Sequence, residues 1–216
     1  MPGRFASKVI PNPEWTDFLK IWPDIDYGYN VSPGQTVAAF RSPAGKAMRW
    51  GLIPHWSKEF SSEYATFKAQ LETIHEKPAF RDAWEKHQHC LIPMLGYYEW
   101  KGPKGNKQPY FIQAADKKGL VVAGIYDKWG SEGLYSCTMI TRPAHEAIKY
   151  IHPRMPVLLS PKQATHWLSQ KPDNRQSLLM DLESPQLIHY PVNKEVANVL
   201  TNGKRLIEPI EIKQEN

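Results

Sequence analysis

Handling an aldehyde takes an amine to attack it and groups that move protons, and three separated stretches of this chain hold such groups. Pro2, in Met1-Pro2-Gly3-Arg4-Phe5, would carry a free secondary amine once Met1 is trimmed, and that amine can form an iminium with an aldehyde. With Met1 retained, the same nitrogen is a tertiary amide without nucleophilicity, and the proline only stiffens the backbone. Glu99 stands between Tyr98 and Trp100 at the end of an apolar run. Desolvation there would raise its pKa and suit it to proton transfer near neutrality; the plainer alternative is a strand-end carboxylate facing solvent. His152, in Ile151-His152-Pro153-Arg154-Met155-Pro156-Val157, is a further proton donor or acceptor.

These groups lie far apart in sequence, so the elements between them must bring them together. Asn12-Pro13-Glu14 has the form of an N-cap followed by proline in the first turn. Trp15, Phe18, Leu19 and Trp22 then recur at helical spacing up to Pro23, which predicts an amphipathic core helix. Short extended segments are expected near residues 36–40 and 47–53, with turns at Pro33-Gly34 and Pro43-Ala44-Gly45. Residues 90–100, 108–115, 119–129 and 134–141 read as a meander of strands, joined by Gly-, Lys-, Pro- and Asn-rich connectors. Ser160-Pro161-Lys162-Gln163 forms a capping-box pattern ahead of a helix whose apolar side is Ala164, Trp167 and Leu168, and a short helix is expected over 143–149. Helices interspersed with consecutive strands, rather than a regular βαβ alternation, argue for an α+β fold.

A chain of 216 residues can bury a sizeable core within one domain. Its 27 Lys and Arg against 22 Asp and Glu leave a net charge of +5, which suits a phosphate-binding face and equally a solvated basic surface. Cys90 and Cys137 sit in apolar stretches without CxxC spacing or a secretory leader, the pattern of reduced thiols in a cytoplasmic protein. No apolar run approaches the roughly 18 residues of a membrane span, so a soluble protein without a membrane partner is expected. His87-Gln88-His89-Cys90 offers metal-binding side chains, but alternate strand residues point to opposite faces and no second ligand pair follows at suitable spacing. No metal and no cofactor are therefore expected; GxSxG elbows, Walker loops and dinucleotide fingerprints are absent from the sequence.

The Met1–Phe5 start, Tyr29-Asn30-Val31-Ser32-Pro33, Arg49-Trp50-Gly51-Leu52-Ile53-Pro54, Glu72-Thr73 with Glu76-Lys77-Pro78-Ala79-Phe80-Arg81, Gly96-Tyr97-Tyr98-Glu99-Trp100, the His152 segment and Tyr190-Pro191-Val192 with Asn198 and Gly203 occur in one order. In that order they resemble the SOS-response-associated peptidase (SRAP) family of abasic-site DNA processing proteins, over nearly the whole chain. Two departures stand out. The family begins Met-Cys-Gly-Arg-Phe, and it carries Asn-Ala-Arg where this chain has Lys68-Ala69-Gln70. The resemblance implies a compact single domain over residues 1–216, built around a barrel-like, largely antiparallel sheet with surrounding helices, its tail at 210–216 frayed.

It also implies recognition and processing of abasic sites in single-stranded DNA, or at single-strand to double-strand junctions, as part of the DNA damage response, by a cytoplasmic, nucleoid-associated monomer. Glu99 would position the attacking amine and move protons, and His152 would assist opening of the sugar ring. The family cysteine closes a thiazolidine after forming its Schiff base; Pro2 cannot. A Pro2 iminium would instead act as an electron sink and favour β-elimination of the 3′ phosphate, giving a strand-cleaving lyase. Lys68 is a second candidate amine, or else a surface lysine contacting phosphate. With Pro2, Lys68 and Gln70 all departing from the pattern, a noncatalytic lesion or single-strand binding module is the competing reading. The family's peptidase label refers to self-removal of the leading methionine. For the DNA itself, Arg4, Arg81 and Arg154 are the candidate phosphate contacts, with internal ion pairs as the alternative. Asn30 and Pro33 match a loop near the lesion, Trp56 would stack on or wedge beside a base or else belong to the core, and Gln70 would forfeit one phosphate contact.

Overall fold

The structure, a computed structural model, describes residues 3–7, 12–59, 66–169, 175–180, 182–183 and 185–212. Eleven strands alternate with four helices: β1 (Phe5–Ala6), β2 (Thr36–Ala39), β3 (Lys46–Trp50), β4 (Lys68–Gln70), α1 (Pro78–Glu85), β5 (His89–Met94), β6 (Gly96–Lys101), β7 (Gln108–Ala114), β8 (Leu120–Trp129), β9 (Leu134–Pro143), α2 (Glu146–Lys149), β10 (Arg154–Pro156), α3 (Pro161–Ser169), α4 (Arg175–Met180) and β11 (Leu187–Pro191).

The larger sheet runs β2-β3-β9-β8-β5, and the backbones of Phe40 and Leu91 exchange two hydrogen bonds (2.9 and 2.7 Å), which joins its two edges into a barrel. Closure removes exposed strand edges, which otherwise invite intermolecular pairing. The sheet is largely antiparallel, as expected, and mixed in that β3 and β4 run parallel to β9. Strand β9 is the pivot. Its first half pairs with β8 and β3, and its second half with β10 and β4, so the segments carrying Lys68 and Arg154 flank the same stretch of backbone.

The smaller sheet, β1-β6-β7-β11, is antiparallel throughout. The single strand expected over 90–100 is two strands, one in each sheet, with Leu95 between them. Gly96 permits the crossing: a side chain there would begin 2.4 Å from the Ile112 carbonyl oxygen. One core lies between the sheets around Trp50, Tyr97, Ile112 and Met155; a second, around Phe40, Trp84 and Trp167, lies under α1 and α3.

The amphipathic helix expected after Asn12 does not form. Asn12 does cap, its side chain accepting from Glu14 N–H, but only a single 3₁₀ turn, Pro13–Trp15, follows. The amides of Lys20 and Ile21 turn away to the Pro43 carbonyl, and that tertiary pairing outweighs local helical preference. The apolar side chains Trp15, Phe18, Leu19 and Trp22 nevertheless bury as a group. The capping box at Ser160 forms in both directions, Ser160 N–H to Gln163 Oε1 (2.7 Å) and Gln163 N–H to Ser160 Oγ (3.4 Å). Near the carboxyl end, Ile210 N–H donates to the Pro191 carbonyl, so hydrogen bonding continues to that residue; 213–216 lie outside the described residues.

Candidate active site and nucleic-acid interface

Glu99 sits on β6, where side chains alternate between faces: Tyr98 points into the small core with Phe111, while Tyr97 and Glu99 point the other way. Only 3% of Glu99 is exposed. Burial raises its pKa, opposed in part by the Trp100 backbone amide and the positive charge of Lys68. Beside it on the same strand, the Tyr97 hydroxyl is fully buried without a hydrogen-bond partner among the described residues, and burial drives its pKa well up.

Across from Glu99 stands His152, its Nδ1 3.9 Å from Glu99 Oε1. Burial, with the charge of Lys68 assisting, lowers the His152 pKa to about 4, so the imidazole is neutral at pH 7 and the contact is no ion pair there. Arg154 N–H donates to His152 Nδ1 at 3.1 Å. The Arg154 carbonyl also lies 3.3 Å from Nδ1, so the two tautomers compete; the one in which Nδ1 accepts carries its proton on Nε2. Arg154 is itself clamped: its guanidinium donates to both Glu72 carboxylate oxygens (2.7 and 2.8 Å) and to the Thr141 carbonyl (2.7 Å). Those bonds hold Glu72 below the usual carboxylate pKa. Arg154 thus takes the internal ion-pair alternative and orients His152. Glu72 was visible in the sequence only as part of a motif, without a role, because its partner lies 82 residues away.

The start of the chain is threaded into this site. In β1, Phe5 faces Tyr97 and Ala6 faces Gly96, and Tyr98 N–H donates to the Arg4 carbonyl at 3.0 Å. Carried two residues further, that register sets Gly3 level with Glu99. A side chain on Gly3 would begin 4.0 Å from the Phe67 ring, so the strand also passes the β4 segment. Phe5, wholly buried, anchors it by an edge contact with Trp50 at 4.9 Å. Pro2 lies outside the described residues. Lys68, with Nζ 4.9 Å from the Phe67 ring centre, is close enough to shift both Glu99 and His152.

Lys68 and Gln70 also line an open groove of about 700 Å³ together with Trp56, Thr73, Lys77 and Phe80. Trp56 is 52% exposed and so is not a core residue. Its loop is pinned from below by Asp127, a buried carboxylate that sequence reading missed within an apolar strand: Oδ2 accepts from His55 N–H (2.8 Å) and lies 3.0 Å from His55 Nδ1. Trp129 Nε1–H donates to the Ser57 carbonyl on the far side. An exposed indole on a doubly tethered loop is preorganised for stacking.

The remaining candidates divide. Arg4 donates to Asn30 Oδ1 and the Val196 carbonyl (both 2.8 Å), and Asn30, buried, donates in turn to the carbonyls of Asn198 and Thr201, a lock between the two ends of the chain. Pro33 is exposed on the adjoining loop, and Arg81 is half exposed on α1 beside Asp82 (3.6 Å). His89 stacks on Trp167 with ring centres 3.6 Å apart, and Cys90 is a buried thiol whose pKa burial raises, so these two serve packing, while Gln88 donates to Asp127 Oδ1. No group of three or more His, Cys, Asp or Glu suited to a metal occurs among the described residues.

Known proteins resemble this chain in sequence and in fold. The protein is 37% identical to the abasic site processing protein YoqW of Bacillus subtilis, over 96% of this chain and 99% of that one. It is 30% identical to abasic site processing protein HMCES of Gallus gallus, over 76% of this chain and 57% of the relative. A crystal structure of a Bacteroides thetaiotaomicron protein superposes with a TM-score of 0.75 at 27% identity, covering 87% and 88% of the two chains. A Bordetella bronchiseptica structure shares the fold at a TM-score of 0.79 and 24% identity, over 88% of this chain and 99% of that one. Residues 1–199, which include the inward-running start, Lys68, Glu99 and His152, match SOS response associated peptidase (SRAP), and the chain belongs to that family.

Proposed function

We propose that this protein recognises and processes abasic sites in single-stranded DNA during the DNA damage response, by amine attack on the open-ring aldehyde of the lesion. The observation that carries the reading is the meeting of a buried carboxylate, a neutral imidazole 3.9 Å away and the strand that leads to the chain's amino end. Relatives named as abasic site processing proteins support the substrate. We infer also that the whole chain folds as one domain and acts as a monomer, at the nucleoid in the cytoplasm.

Each group has a defined task. Glu99 takes the C1′ hydroxyl proton and returns it to ring oxygen O4′ as the C1′–O4′ bond breaks, while His152 Nε2–H polarises O4′, a role for which a neutral imidazole is suited. The amine nitrogen, of Pro2 after loss of Met1 or of Lys68, then bonds to C1′. The nitrogen's proton passes through Glu99 to the new alkoxide, Glu99 takes up a second proton from solvent and gives it to the resulting hydroxyl, water leaves, and the iminium remains. Glu99, left as the carboxylate, takes a C2′ proton; the C–H electrons move towards the iminium nitrogen as an enamine, and their return breaks the C3′–O bond and expels the 3′ phosphate. Lys77 and the exposed Trp56, which line the groove, and the half-exposed Arg81 on α1 would hold flanking DNA. The departures at Pro2, Lys68 and Gln70 favour a second reading, in which the same surface binds the lesion without covalent chemistry.

Borohydride trapping separates the two readings. Wild-type protein incubated with abasic single-stranded DNA and reductant is expected to give a covalent band. Loss of the band in Lys68→Ala assigns the amine to Lys68; its survival there, together with loss on acetylation of the α-amine, assigns it to the amino terminus. A protein that binds the oligonucleotide yet gives no band in any form would overturn the covalent mechanism and leave the binding module.

A further inference from the structure

The face of the smaller sheet that carries Glu99 continues outward into a feature the lesion chemistry does not use. Directly paired residues share a face in an antiparallel sheet, so Glu99, its partner Tyr110 and, two residues further out on β6, Lys101 lie together. His189 on β11 pairs with Ile112, two residues along β7 from Tyr110, and joins the same face. Tyr150, at the end of α2 and two residues before His152, lies over them at 51% exposure. Its hydroxyl is 3.2 Å from His189 Nε2, its ring meets the His189 ring at 71° with centres 5.4 Å apart, and Lys101 Nζ sits 4.3 Å from its ring centre. Tyr110 flanks His189 at 6.2 Å. Three exposed lysines, 101, 104 and 107, border the patch on the β6–β7 hairpin, and the nearest acid on α2, Glu146, is paired with Lys149 at 2.9 Å.

We propose that Tyr150, His189 and Lys101 form a second nucleic-acid subsite, which stacks an unpaired base of the single strand leaving the Glu99–His152 pocket and holds its phosphate. The proposal rests on the lesion-binding reading and extends it to a surface that shares no residue with the Trp56 groove. Several physical arguments select a single strand as the occupant. The patch is aromatic, exposed and cationic, the combination that recognises stacked bases on a polyanionic backbone. It is also continuous with the pocket, through Glu99–Tyr110 on one side and residues 150–152 on the other. A duplex base, already stacked on both faces, has none to offer Tyr150. A phosphate would draw Lys101 off the ring and free that face for a base.

The test uses fluorescence anisotropy with two single-stranded oligonucleotides carrying a non-reactive tetrahydrofuran in place of the abasic sugar. One has all its flanking nucleotides 5′ of the lesion, the other all of them 3′. Tyr150→Ala should weaken one of the two by about ten-fold, the loss of one base stack, and leave the other within about two-fold. Tyr150→Phe, which keeps the ring, should restore most of that loss. Lys101→Ala should weaken the same oligonucleotide and flatten its salt dependence by the equivalent of about one phosphate contact. Tyr150→Ala binding both oligonucleotides as tightly as wild type, or both equally less well, would overturn the subsite and leave the lesion pocket standing. Wild-type protein that binds neither would overturn the lesion reading and this subsite with it.

Discussion

At the scale of single residues, burial acts on the two central groups in the same sense: it favours the uncharged form of each. The Glu99 pKa is raised and that of His152 lowered to about 4. For Glu99 the linkage has a definite sign. A pKa raised on folding means that the folded protein holds its proton longer than the unfolded chain, so stability falls as pH rises above the ordinary value of 4.5 towards the folded pKa, and stays reduced above it. Glu99→Gln should therefore melt at a higher temperature than wild type at pH 7, with the difference vanishing below about pH 4, where both states are protonated. The same variant should slow borohydride trapping by about 10²-fold or more, the usual worth of a positioned acid–base group. Thermal melts at both pH values check the first statement; a Glu99→Gln protein less stable than wild type at pH 7 would contradict it. Stability given up at a functional carboxylate is a common trade. Glu99 was legible in the sequence from its aromatic neighbours, and His152 from its segment. Asp127 was not, because nothing local indicates that a loop 72 residues away will need its oxygens.

At the scale of elements, the two-residue strand β1 decides whether the pocket receives the amino end. Its attachment is one ladder to β6, two backbone bonds between Phe5 and Val31, and the buried Phe5 ring against Trp50. Phe5→Ala should cost about 3–5 kcal/mol in chemical denaturation, as for other buried aromatics, and should reduce trapping that depends on the α-amine more than trapping that depends on Lys68. A cost below about 1 kcal/mol would mean that β1 does not need its side-chain anchor. The strands were readable from alternation and turn residues, and α3 from its capping box. The stretch after Asn12 shows the limit of that reading. Its periodicity correctly marks which side chains bury, yet the backbone of Lys20 and Ile21 is claimed by Pro43.

At the scale of the whole molecule, the Trp56 groove is lined by Lys68, whose charge reaches Glu99 and His152, and the Tyr150 patch adjoins those two residues, on a chain of net charge +5. Affinity for a single strand should then fall with salt in proportion to the phosphates engaged, with a slope of about −0.7 per contact. Gln70, exposed on β4 at the groove, leaves room for one more contact. Gln70→Arg should tighten binding at low salt and steepen the slope by about 0.7; titrations across a salt series check this, and an unchanged slope would place residue 70 off the DNA path.

The linear order of residues by itself determined the α+β class, most strand positions, the family and which acid, imidazole and amines are the candidates, since each depends on residue type and short-range spacing. Only the tertiary structure decided that Arg154 is spent on Glu72 and His152, that Arg4 and Asn30 tie the chain's two ends, that Trp56 is exposed and that Tyr150 meets His189. The reason is that a charge or a ring commits to whichever partner lies within a few ångströms, and here those partners come from strands paired across tens of residues or more.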